Sequence, residues 1–292
     1  GTDSNVVQGN YIGVDVTGLI AIANGDDGIQ VSDFASGNTI GGTVTGARNV
    51  VAGNLDDGVQ LDSSASVNVV QGNYIGLGAD GSTSLGNAAA GVRLTSGANN
   101  NLIGGSTEAA RNVIGANNEG VRITAAGTSD NVVRGNYIGT DATGTLDRGQ
   151  NDDGIDIGNG ANDNIIGGTN DGDGNVIVHS SGDGIEFRTD AGTGNSIRGN
   201  SIYDSGGIGI DFNQDNVTAN DPGDADGGPN NQQNYPVLTS AFTDGSGTVA
   251  VTGTLNSTAY TSLRVEFFAN SGAGDEGETY LGFRNVITNS AG

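Results

Sequence analysis

The chain has 292 residues, 34% of them hydrophobic and 54 of them glycine, with no cysteine, methionine or tryptophan. That composition excludes disulfides, thiolate metal sites and a conventional Leu/Phe core. Arginine is the only basic residue besides one histidine, and 34 acids against 10 arginines leave a formal charge of −24, so nucleic acid and anionic membrane surfaces would be repelled.

No run approaches the roughly 18 apolar residues of a membrane span, which argues against membrane insertion. The start, "GTDSNVVQGN", lacks the basic and apolar regions of a signal peptide. The missing methionine predicts a processed product or a piece of something longer.

From Asn5 the chain is periodic. "NVVQGNYIG" occupies 5–13, recurs at 68–76, and returns as "NVVRGNYIG" at 131–139. Each long unit holds two unequal halves. Glycine-led strand signals begin at Gly28, Gly58, Gly91, Gly120, Gly154, Gly184 and Gly209. Asparagines open "N-x-[VI]" triplets at Asn5, Asn38, Asn68, Asn101, Asn131, Asn164 and Asn195, and again at Asn10, Asn49, Asn73, Asn112, Asn136, Asn175 and Asn200. Three short strands per turn of about 30 residues, separated by turn residues, predict a parallel β-helix of about seven coils. Residues i and i+2 of a strand share a face, so the apolar second and fourth residues of "GIQV" point inward and the third faces solvent. Stacked asparagines at the corners are expected to bond one another, because a buried amide is costly without partners.

The "NYIGTDATG" stretch at 136–144 and "RNVIG" at 111–115 resemble the bacterial secreted or surface repeat proteins of the right-handed, pectate-lyase-like β-helix superfamily. The resemblance covers about residues 1–219 and implies an extracellular or cell-surface location. For activity it is nearly mute, since one scaffold carries lyases, hydrolases, epimerases and adhesins. In polysaccharide-acting members the first strand face often forms the substrate groove. Here its outward column is Gln30, Gln60, Arg93, Arg122, Asp156, Glu186 and Asp211.

Stacked acids on neighbouring coils repel and raise one another's pKa, which suits a general acid. The alternative catalytic set is therefore Asp153, Asp156, Asp183 and Glu186, with His179 as a partner. "NDDGID" at 151–156 resembles the "NTDGID" element of polygalacturonase-type hydrolases, but "NGDDGIQ" and "NLDDGVQ" repeat the pattern in other coils. A motif that recurs with the repeat reads first as scaffold, so no catalytic residue is favoured. His179 reads first as a surface turn residue. Tyr11, Tyr74 and Tyr137 either stack on sugar rings or pack under the long loops that follow them, and loop packing is preferred.

Calcium is the one cofactor suggested, through Asp171 and Asp173 in "DGDGN" and Asp221, Asp224 and Asp226 in "DPGDADGG". Residues 220–236 form an acidic Gly/Pro/Asn linker with all three prolines. Beyond it, 237–292 alternates apolar and polar residues in four strands and resembles the first half of an immunoglobulin-like sandwich. The expectation is an all-β, extracellular structural module: a rigid spacer, adhesin or fibre component. A polysaccharide or cell-surface glycan, or end-to-end self-association through uncovered strand edges, are the partners that fit. The rival is a polysaccharide lyase or hydrolase acting along the first strand face.

Overall fold

The computed structural model describes residues 2–245, 247–272 and 276–292. The periodic region winds into three parallel sheets of seven strands each. One runs from Val6–Val7 to Ser196–Arg198, the second from Tyr11–Ile12 to Ser201–Tyr203, and the third from Ile29–Val31 to Ile210–Phe212. Register places like on like. Gln30 pairs with Gln60, Val51 with Ile75, and Ile103 with Val133.

The predicted interior is the observed one through the middle coils, but Ile210, expected inward, is exposed at the last coil, and Asp156 and Asp211, expected to face solvent, are buried. Ile40, Val70, Ile103, Val133 and Ile166 of the first sheet are fully buried, as are Val51, Ile75, Ile114, Ile138 and Ile177 of the second. Val59, Leu61, Val92, Leu94, Val121, Ile123, Ile155, Ile157, Ile185 and Phe187 complete the core from the third. Each such side chain contributes roughly 1.5–3 kcal/mol by burial. Strands of two to four residues suffice because every coil adds to one continuous apolar column.

Both asparagine series stack as ladders. The backbone N–H and Nδ2 of Asn68 donate to Asn101 Oδ1 at 2.9 and 3.0 Å, and Asn101 donates likewise to Asn131 at 3.1 and 2.9 Å. Asn101 Nδ2 also reaches Ala65 O at 3.0 Å. One buried amide thus serves three coils, and none of its polar atoms is stranded. Glycine makes the corners tight enough: Gly76 has φ of 78°, and a Cβ there would lie 2.0 Å from Gly115 O.

A third ladder, not foreseen, runs through Asn24, Asn54, Asn87, Asn117 and Gln150 at the corner before the glycine-led strands. The long loops following the tyrosines stack on each other two coils apart, Ala79 N donating to Gly18 O and Ala142 N to Gly81 O, each at 2.9 Å. Beneath them Tyr74, 8% exposed, packs with Leu77 and Val113, and the Arg48 guanidinium lies 4.0 Å from its ring centre. Tyr74 and Tyr137 are therefore loop anchors.

The four predicted C-terminal strands are Val237–Thr243, Val249–Thr254, Ser262–Ala269 and Thr279–Ile287, paired as two separate antiparallel hairpins. The first hairpin is exposed throughout except at Val251, which is half-buried. Its alternating pattern has no second sheet to pack on among the described residues.

Candidate functional site

The acids before the glycine-led strands stack as a column of their own. Asp27, Asp57, Asp153 and Asp183 each turn a carboxylate oxygen onto the backbone N–H of the same position one coil on, at 3.0, 2.9, 2.8 and 2.6 Å. Asp57 and Asp153 are 1% and 3% exposed. A carboxylate here does for the backbone what the asparagines do elsewhere, but it only accepts. Neighbouring rungs cannot bond each other; where both are charged, they repel.

The outward column of the third sheet lies beside it. Asp156 is 1% exposed and pairs with Arg188, whose Nε lies 2.8 and 2.9 Å from its two oxygens and whose NH2 lies 2.7 Å from Oδ2. Arg122, one coil earlier, approaches Asp156 Oδ2 at 3.3 Å and bonds Glu119 Oε1 at 3.2 Å. Asp156 is thus neutralised from both sides. Asp211 accepts Asn216 N at 2.9 Å.

Three of the predicted acids converge: carboxylate oxygens of Asp153, Asp183 and Glu186 lie within 4.8 Å of one another. Burial, with Glu186, Asp152 and Asp156 nearby, pushes Asp153 up to about 8 against the pull of the Asp183 N–H. Glu186 rises to about 7 through burial and Asp156, despite Arg188. At neutral pH Asp153 therefore holds a proton. A protonated carboxyl beside the partly ionised Glu186 is what a general acid requires. It is equally what a stack of corner acceptors produces when no cation separates its rungs.

His179 sits apart, at the corner after Val176–Val178, with φ of 57° like Ala116 and Asp204 at the same corner of other coils. Among the described residues its imidazole joins none of these acids.

The suggested calcium ligands divide. Asp173 is buried and already engaged: burial would raise its pKa, but bonds from Ser106 Oγ (2.6 Å) and Asn170 Nδ2 (2.7 Å), with Arg134 at 3.5 Å, bring it below the usual value. Asp171 is exposed and does not join it in a group of three. Asp221, Asp224 and Asp226 do converge within 4.8 Å. Asp224 accepts from Asn234 N and Ser257 Oγ, both at 2.7 Å, while Asp226 Oδ1 is buried without a hydrogen bond. A third convergence, Asp26, Asp27 and Asp56, escaped sequence reading. The "DD" doublets one coil apart were its only signal.

Two crevices, about 430 and 440 Å³, lie at the ends of the solenoid, one lined by Tyr203, Ser205, Glu276 and Glu278, the other by Asn5, Ile29, Val31 and Asn38. No helix among the described residues is long and apolar enough to cross a membrane. No protein-family model and no curated protein matches the chain.

Proposed function

We propose that the chain is an extracellular or cell-surface structural module, a stiff β-helical spacer that presents or separates other surfaces without catalysis. One observation carries this reading: the acids best placed for chemistry are occupied as parts of the coil stack. Asp153 and Asp183 hold the backbone of the next coil, and Asp156 is locked between two arginines. Their geometry repeats at Asp27 and Asp57, far from the converging trio. Repetition of this kind is expected of scaffold, because an active site needs its groups once.

A second reading has its own support. Asp153 and Glu186, raised to about 8 and about 7 within one carboxylate group, suit a polysaccharide lyase or hydrolase acting on the third sheet. Offering uronic-acid polymers to the purified chain and following unsaturated products by absorbance, and reducing ends by colorimetry, separates the two. The spacer reading expects no turnover. Turnover that disappears in Asp153→Asn would replace it with the enzyme.

A further inference from the structure

The last coil has a strand edge that no eighth coil covers, yet the outward N–H groups of Asn195, Gly199, Ile202 and Ser205 are paired. In the interior, each coil donates to the one that follows at recurring places, and four of them recur at this edge. Asn164 N donates to Asn195 Oδ1 at 3.1 Å, Gly135 N to Asp173 O at 3.0 Å, and Asn117 N to Gln150 Oε1 at 2.9 Å. The fourth place is the ladder along the second sheet itself.

At coil seven, three separate segments of the tail supply the same acceptors. Asn195 N donates to Asn230 Oδ1 at 2.9 Å, and Asn230 Nδ2 returns a bond to Asn195 O at 2.7 Å. Gly199 N donates to Glu266 Oε2 at 2.8 Å, and Ser205 N to Glu276 Oε1 at 3.2 Å. Ile202 N donates to Gly277 O at 2.8 Å in an antiparallel bridge, and Ser201 Oγ bonds Glu278 O.

We infer that the tail is a cap: Asn230 of the linker, Glu266 of the strand Ser262–Ala269 and residues 276–278 before the strand Thr279–Ile287 imitate an eighth coil and close this edge of the solenoid. Asn230 extends the first asparagine ladder by one rung from outside the repeat. It reaches that position through left-handed backbone at Asn230 and Asn231, φ of 50° and 57°. Two carboxylates stand where a ladder amide or a carbonyl would stand in the interior. They serve because at Gly199 and Ser205 the edge presents backbone N–H donors, which need only an acceptor. An edge so covered is shielded from strand addition by another chain, and the hairpin that covers it gains a partner that a lone hairpin lacks.

Amide hydrogen exchange on the full chain, resolved by residue, tests this in Asn230→Ala, Glu266→Ala and Glu276→Ala. Each variant is expected to speed exchange at its own partner, Asn195, Gly199 or Ser205 respectively, by about tenfold or more. The Asn101 and Asn131 amides in mid-solenoid should keep the parent rates. Parent-like protection at all three edge amides, or a uniform loss that includes Asn101 and Asn131, overturns the cap.

Discussion

Two kinds of corner hold this solenoid together, and they differ in one chemical property. At the asparagine corners each rung both donates and accepts, so Asn68, Asn101 and Asn131 bind one another directly. At the acidic corner an ionised rung only accepts. Asp153 and Asp183 secure the backbone of the following coil, but wherever neighbouring acids are ionised they repel each other and Glu186. The amide corner is stabilising at any pH, whereas the acidic corner depends on how many of its protons remain.

The largest expected effect comes from stranding charge. Asp156→Ala leaves Arg122 and Arg188 beside a void where a fully buried carboxylate had been. Breaking a buried pair from one side costs about 3–5 kcal/mol; with Arg122 26% and Arg188 31% exposed, the lower end is expected in a urea melt. A loss below about 1 kcal/mol would mean the pair is solvated and the acidic face looser than described.

Asn101→Ala tests the other corner. It removes the acceptor of two Asn68 donors and the donor to Ala65 O in one step. About 2–3 kcal/mol should go, since buried polar groups are left unpaired.

Next in size is the pH effect. Asp57, Asp153 and Glu186 have pKa values raised to about 6, about 8 and about 7 in the folded chain, so the folded state binds more protons than the unfolded state above about pH 4. Stability should fall as pH rises from about 4 to about 8. Asp153→Asn keeps an oxygen for the Asp183 N–H and removes the charge. Its melting temperature should exceed the parent's at pH 8 and approach it at pH 4. A variant that melts with the parent at both would show that Asp153 is not strained by its neighbours.

Smallest should be Asn10→Ala, at the exposed first rung of the second ladder. Water can replace the lost partners of Asn49 there, and a change within about 0.5 kcal/mol is expected. An effect as large as that of Asn101→Ala would deny that burial sets the value of a rung.

Much of this was legible from residue order. The glycine-led strands and the two asparagine series located all seven coils, because a solenoid repeats one local solution and writes it out each time. The third ladder was not read. Its rungs drift from asparagine to Gln150 and their distance to the following glycine changes, from four residues at Asn87 to three at Asn117. The convergence of Asp153, Asp183 and Glu186 and the approach of Arg122 to Asp156 could be anticipated from coil register, whereas the bond from Arg188 to Asp156 could not. Arg188 belongs to the next coil and reaches back by a side-chain rotamer.

The C-terminal tail shows the same divide. Its four strands were evident from alternation, but Asn230, Glu266 and Glu276 carry no periodic mark that ties them to coil seven. Periodicity determined the coil count, the inward residues and the stacked amides, since those follow from neighbours one repeat apart. Tertiary structure alone decided that Arg188 reaches back to Asp156 and what closes the last coil. Those outcomes depend on distances between side chains that no repeat relates.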